Sequence, residues 1–127
     1  MSSLTSEYLS KILSQNKVEL KSTHKKLSIP IINRIYTKML LGIKFDDIKI
    51  DNDLIIDGHH RYVSSILSNI KLGCVKSSKT SATIEYNWEN VEFVNEEWDT
   101  EDKIRRLNEI DAEFNNISIE KILEIIK

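Results

Sequence analysis

The chain contains few of the residues that cross-link a protein or interrupt its regular structure. Its 127 residues include one cysteine, one proline and three glycines. A lone cysteine, Cys74, excludes an internal disulfide and makes a thiolate zinc site improbable. No apolar run approaches the roughly 20 residues that a membrane-spanning helix needs, and the first residues lack the basic and apolar regions of a secretory signal. We therefore expect a cytoplasmic protein without a membrane partner.

The chain also lacks an excess of charge of either sign. It has 18 Lys and Arg against 20 Asp and Glu, a net charge of -2 and a pI near 5.9. This balance gives no global attraction to DNA or RNA, so a nucleic-acid partner is disfavoured. Apolar residues make up 40% and charged residues 30%, and the length is typical of one domain. The sequence predicts a single domain over residues 1–127.

The spacing of apolar residues predicts alternating helices and strands. Helices are expected at 5–15, from Pro30 to Gly42, after Gly58 as far as Gly73, from a cap at Asp99 or Thr100 to Phe114, and at 119–126. Extended segments are expected at 18–20, 43–50, 54–57, 83–88 and 91–94, with polar loops at 22–28 and 76–81. The expected fold class is α/β (α+β): a small mixed sheet with flanking helices, followed by C-terminal helices.

The predicted helix after Gly58 has one apolar face and one polar face. Its buried residues are expected to be Val63, Ile66, Leu67 and Ile70, and its solvent-facing residues Ser64, Ser65, Ser68 and Asn69.

The stretch from Ile55 to Val63 joins an apolar strand end, a glycine, three hydrogen-bonding side chains and the start of this helix. Glycine allows a sharp turn and a close backbone approach. The amides of a first helical turn and the helix dipole favour an anion, and Arg61 adds a planar fork suited to phosphate or carboxylate. Arg34 and Lys38, one turn apart on the preceding helix, either approach the same phosphate or lie on a solvated face. Residue types alone predict an anion site at a helix N-terminus.

Residues 57–61 read Asp-Gly-His-His-Arg, and this turn resembles the signature turn of the ParB/sulfiredoxin-like superfamily. The closest similarity is to the Asp-Gly-x-His-Arg turn of its free-serine kinases. The resemblance extends over about residues 17–80, and residues 81–127 form a C-terminal strand and helix extension outside it. His59 stands where sulfiredoxins have their cysteine nucleophile and where ParB proteins have an acidic residue, so neither chemistry is expected here.

The resemblance implies a site for a nucleotide, namely ATP, ADP or CTP carrying Mg²⁺. The residues that match the motif are Gly58, His59, His60 and Arg61 for phosphate binding, with Asp57, His59 and His60 as catalytic candidates. An active protein would be a phosphotransferase or a nucleotide hydrolase, with Asp57 binding magnesium or positioning a small-molecule acceptor. Kinases of this branch take an acidic residue from a segment that matches residues 20–25, where this chain has Lys25; Glu19 is the nearest carboxylate. No metal site made by protein ligands alone is predicted.

Two alternatives remain open at this stage. The first is a ParB-like nuclease that acts on DNA or RNA, with His59 or His60 as general base. The second is a non-catalytic interaction module, which keeps the turn as a scaffold and uses its terminal helices to form a homodimer or to bind a protein partner.

Overall fold

The computed structural model describes residues 4–15 and 18–126. The helices are α1 (Ser6–Gln15), α2 (Ile29–Leu40), α3 (His59–Ser68), α4 (Glu101–Phe114) and α5 (Ile119–Ile125). The strands are β1 (Lys26–Ser28), β2 (Ile48–Asp51), β3 (Leu54–Asp57), β4 (Cys74–Lys76) and β5 (Glu92–Val94), with a 3₁₀ turn at Trp88–Asn90. The predicted mixture of helices and strands is confirmed. No helix in the described ranges is long and apolar enough to cross a membrane.

The strands form two small sheets. The first has the order β3-β2-β4, in which β2 pairs antiparallel with β3 and parallel with β4. The β2–β3 hairpin forms at the predicted turn, because residues 51–53 are good turn formers and Asn52 adopts a positive φ of 53°. Its first strand begins at Ile48, so residues 43–47 of the predicted extended segment form no strand. In the second sheet β1 pairs parallel with β5. The segment after residue 80 therefore completes a sheet that begins before α2.

One large core joins α1, both sheets, α2 and α3. Its fully buried side chains include Leu9, Leu27, Ile32, Ile55 and Val63. Trp88 and Phe93 belong to the same core, so the predicted C-terminal extension contributes directly to it. Ser28 begins α2 as predicted: its hydroxyl accepts the amide of Ile31, and Pro30 lies in the first turn.

A second, smaller core holds the C-terminal helices. Ile122 of α5 is fully buried against Ala112 of α4 and Ile43, which follows α2. Thr100 caps α4 and Ser118 caps α5 through their hydroxyl groups. The α4–α5 pair is thereby fixed next to the C-terminal end of α2.

The predicted faces of α3 were partly wrong. Ser64 and Ser65 are buried, whereas Ile70 is 41% exposed and lies beyond the helix. The Ser64 hydroxyl donates to the carbonyl of His60 at 2.7 Å and is 3.0 Å from that of Ile32, so a small polar side chain fits where α3 crosses α2. The helix ends at Asn69 in a left-handed conformation, four residues before Gly73.

Two predicted extended segments and one predicted loop also need correction. Residues 18–20 form no strand, and β1 lies in the predicted loop at 22–28, because its partner β5 is far along the chain. Residues 83–88 likewise form no strand. Only Tyr86 makes an isolated bridge, to Ser22, before the chain enters the 3₁₀ turn.

Candidate functional site

The turn between β3 and α3 depends on Gly58. This residue has a left-handed φ of 100°, and a Cβ atom here would lie 2.6 Å from Cγ2 of Ile48. A side chain is therefore excluded by both backbone conformation and space. Helix α3 begins at His59, and no described side chain caps its first turn. The amides of this first turn therefore have no side-chain acceptor among the described residues.

All five residues of the predicted site border one cleft. The cleft has a volume of about 570 Å³ and lies between the N-terminus of α3, α2 and α4. Asp57, Gly58, His59, His60 and Arg61 all line it. Its volume lies in the range of small-molecule sites, roughly 300–1,000 Å³.

A larger cavity, of about 830 Å³, lies between α1, the three-stranded sheet and the far end of α3. Glu19 borders this second cavity and does not line the cleft at the turn. The nearest substitute for the acidic residue of the kinase motif is therefore on another surface.

His59 is 2% exposed and holds the loop before β1. Its Nε2 atom lies 3.0 Å from the backbone N–H of Thr23 and accepts that hydrogen bond. The Thr23 hydroxyl donates to the carbonyl of Ile55 at 2.6 Å, which ties the same loop to β3. The His59 ring stacks on His24 with a centroid distance of 3.9 Å. Its Nδ1 atom is buried and has no partner among the described residues.

His60 makes the equivalent contact with β1. Its Nε2 atom accepts the backbone N–H of Ser28 at 3.0 Å, and its ring meets Trp98 edge to face at a centroid distance of 5.5 Å. The two adjacent rings therefore diverge, one to Thr23 and the other to Ser28. They hold two segments of the chain and do not converge on one point.

These contacts fix the protonation of both rings. A backbone N–H can only donate, so each Nε2 carries a lone pair and each neutral ring carries its proton on Nδ1. Burial lowers the pKa of His59 to about 3, helped by the nearby His24 and His60. Burial also lowers the pKa of His60 to about 4, with further lowering from His24 and partial compensation by Asp99. At neutral pH both rings are uncharged and Nδ1 is their remaining donor, which in His59 is buried.

Arg61 is also engaged with the protein. Its Nη1 donates to the carbonyl oxygens of Asp46 and Asp47, at 2.9 and 3.2 Å, and its Nη2 lies 3.7 Å from Oδ2 of Asp57. The side chain of Asp57 is 65% exposed at the cleft. Arg61 thus holds the loop before β2, while Asp57 presents a carboxylate to solvent.

The other basic groups in the cleft are paired with acids. Lys38 is 4% exposed, and its Nζ donates to Asp111 at 2.6 Å and to Asn108 at 2.7 Å, which links α2 to α4. Arg34 bonds Asp99 at 3.1 Å and forms a bidentate pair with Glu97.

The Arg34 guanidinium lowers the pKa of the Glu97 carboxyl. Arg34 and Lys38, predicted either to approach phosphate or to be solvated, instead bind the acidic segment before α4 and α4 itself. That segment was interpreted only as helix-capping charge, since the sequence contains no local signal for a pairing across so many residues.

The turn offers one exposed carboxylate, that of Asp57, as a ligand for a magnesium ion. Within the described part of the chain, no three His, Cys, Asp or Glu side chains cluster as metal ligands. Magnesium carried on phosphates needs only one or two carboxylates. Asp57 is exposed at the cleft and would hold such an ion.

Sequence reasoning missed the far wall of the cleft. Ile104, Leu107, Ile110 and Phe114 of α4 line it together with Trp98. Their helical spacing was recognised, but nothing in the sequence indicates that this stripe lies opposite the turn. The partners of the histidines, Thr23 and Ser28, were missed for the same reason.

The comparisons with known proteins identify no relative: no family model matches the chain, and no curated protein or solved structure is similar to it. The resemblance of residues 57–61 to the ParB/sulfiredoxin-like turn therefore stays a prediction, and the function has to be argued from the geometry of the cleft.

Proposed function

We propose that this chain is a cytoplasmic nucleotide-binding domain that holds the phosphate groups of its ligand at the N-terminus of α3. The observation that supports this best is the donor arrangement around Gly58. The first-turn amides have no side-chain cap, and the rings of His59 and His60 have hydrogen on Nδ1 because Nε2 is occupied. The Nδ1 of His59 is buried and has no partner among the described residues, and donors that lack an acceptor are what an anion requires.

The same arrangement argues against the nuclease alternative. A general base needs a free lone pair, and the Nε2 lone pairs of both histidines already accept backbone amides. Their low pKa values would also make them weak bases at neutral pH. We therefore assign them to binding and positioning, and Asp57 is the stronger candidate for a catalytic role.

If the domain is catalytic, the reaction it suits is transfer of a terminal phosphoryl group to a small-molecule acceptor or to water. Donors fixed at the turn would stabilise the charge that develops on the transferred group. Asp57 would bind the magnesium ion of the nucleotide or orient the acceptor.

The test is calorimetric titration with ATP, ADP and CTP, each with and without magnesium. We compare wild type with two variants that each remove one positive charge. Arg61→Gln acts at the cleft and removes the guanidinium that also bonds the carbonyls of residues 46 and 47, so circular dichroism first establishes that the variant is folded. Arg105→Gln, the matched control, acts on the exposed surface of α4, where Asp102 is the one acidic partner of Arg105 among the described residues.

We expect saturable binding that Arg61→Gln weakens at least about tenfold and Arg105→Gln leaves unchanged, because a charged hydrogen bond to phosphate is worth at least about 1.5 kcal/mol. No heat with any nucleotide, from a protein shown to be folded, would refute the proposal. Salt-sensitive binding of polynucleotides would then favour the nuclease, and concentration-dependent oligomerisation the interaction module.

A further inference from the structure

The cleft has two ends of opposite character. One end is the turn at the N-terminus of α3, with backbone amides and histidine donors. The other is an apolar wall, formed by Leu107, Ile110 and Phe114 of α4 with the indole of Trp98. Three of these side chains are unusually exposed for their size: Ile110 is 46%, Phe114 52% and Trp98 43% exposed. Exposed large apolar groups that gather in a concave site indicate a ligand.

Ionic contacts between α2 and the region of α4 fix the position of the apolar wall. Lys38 bonds Asp111 and Asn108, and Arg34 bonds Asp99 just before α4. These pairs fix α4 beside α2 through its polar positions. Residues 107, 110 and 114 follow one another at intervals of three and four, so they share an adjacent stripe of the helix. That stripe is left facing the cleft and is not packed into the core.

Trp98 lies where the two ends meet. Its ring contacts His60 edge to face, and His60 is part of the donor end. An anionic group bound at the turn would therefore continue directly along an aromatic surface. A planar base joined to phosphates has this combination of charge and flat apolar surface, and aromatic side chains bind bases by stacking.

We infer that α4 and Trp98 bind the base of the nucleotide whose phosphates bind at the turn. This inference rests on the proposed function and extends it to residues 98–114, which lie outside the segment that resembles the ParB/sulfiredoxin-like superfamily. It assigns a ligand-binding role to the C-terminal part of the chain.

The experiment compares a nucleotide with a probe that has phosphates and no base. The full chain is titrated with ATP, ADP and CTP and with inorganic tripolyphosphate, all with magnesium. Phe114→Ala and Ile110→Ala remove parts of the proposed base wall. Leu123→Ala is the control, because Leu123 is 49% exposed on α5 and does not line the cleft. Circular dichroism and urea unfolding establish that each variant is folded.

We expect the preferred nucleotide to bind at least about tenfold more tightly than tripolyphosphate. Phe114→Ala and Ile110→Ala should each reduce that preference severalfold and leave tripolyphosphate affinity unchanged, while Leu123→Ala should alter neither. Equal affinity for nucleotide and tripolyphosphate, or an undiminished preference in both wall variants, would overturn the inference and leave the phosphate site standing. Failure of both ligands to bind would overturn the inference and the proposed function together.

Discussion

Acidification from about pH 7.5 to about pH 5 should destabilise the protein strongly, because its histidines are held neutral in the folded state. The chain has three histidines, and all of them border the cleft. The pKa of His59 is lowered to about 3 and that of His60 to about 4, both chiefly by burial. In the unfolded chain each ring takes up a proton near its ordinary pKa of about 6.5.

The direction of the effect follows from these pKa values. Above the unfolded pKa both states bind no proton, and the full stability of the neutral rings is present. As pH falls from about 6.5 towards the folded values, only the unfolded state gains protons, so the free energy of unfolding decreases. Each histidine contributes a slope of about 1.4 kcal/mol per pH unit.

Over about 1.5 pH units the loss is about 2 kcal/mol for each of His59 and His60, or about 4 kcal/mol together. This is a large fraction of the roughly 5–15 kcal/mol that stabilises an ordinary domain. The pKa of His24 is also lowered by burial, against the opposing charge of Asp57, so it acts in the same direction. Most carboxyl groups remain ionised at about pH 5 and add little to the change.

Urea unfolding followed by tryptophan fluorescence, at several pH values between about 5 and 7.5, measures this loss. The variant His60→Gln keeps an acceptor for the amide of Ser28 but cannot titrate. Its loss between the two pH values should be about 2 kcal/mol smaller than that of the wild type. A wild-type free energy of unfolding that changes by less than about 1 kcal/mol over this range would show that the rings are not buried as neutral acceptors.

Two further predictions concern stability. Gly58→Ala should cost about 3 kcal/mol, because the new methyl would need a positive φ and would collide with β2. At Gly42 the φ is 91°, but an added Cβ atom would have no atom beyond the neighbouring residues within 4 Å, so Gly42→Ala should cost only about 1 kcal/mol. Equal losses of unfolding free energy in Gly58→Ala and Gly42→Ala, measured by urea unfolding, would contradict this reasoning. Asp111→Ala should cost about 3 kcal/mol, because it leaves the buried ammonium of Lys38 without its counter-charge. Arg106→Ala, which breaks an exposed ion pair, should change the unfolding free energy by less than about 0.5 kcal/mol. A comparable loss in Asp111→Ala and Arg106→Ala would refute the claim that the Lys38–Asp111 pair is buried.

The elements that the sequence predicted well are those specified by neighbouring residues. Ser28 and Pro30 mark the start of α2, Thr100 and Ser118 cap the last two helices, and three turn formers join β2 to β3. Each of these signals acts within a few residues, so one sequence is enough to interpret it. The mixed fold class followed from the same local signals.

The elements that the sequence predicted poorly depend on distant partners. β1 exists because β5 lies beside it, and Ser64 is buried because α3 crosses α2 at that point. The composition of β1 favours a polar loop, and a serine such as Ser64 favours a solvent-facing position on a helix. Neither outcome could be deduced without knowing which segments meet in the fold.

The candidate site combines both cases. The position of the turn and the conformation of Gly58 follow from local sequence, and the structure places all five predicted residues around one cleft. The contacts that each of these residues makes do not follow from the local sequence. His59, His60 and Arg61 each bind a different segment, at residues 23, 28 and 46–47. The sequence interpretation treated these side chains as ligand contacts, whereas the structure shows each of them bonded to another segment that borders the cleft or supports it.

The contacts within the protein limit which groups of the turn could bind the proposed anion. The Nε2 lone pairs of His59 and His60 accept backbone amides of the protein, and Nη1 of Arg61 donates to two carbonyl oxygens. The groups that remain are the first-turn amides, the Nδ1 hydrogens and the part of the Arg61 guanidinium that does not bond residues 46 and 47. The Nδ1 of His59 is buried without a partner among the described residues, and such an unpaired donor costs about 1–3 kcal/mol in the absence of a ligand. In the proposed complex, a ligand that brings its own charge and its own magnesium would meet donors already fixed in place, and it would exchange the exposed Arg61–Asp57 ion pair at the turn for contacts with phosphate and magnesium.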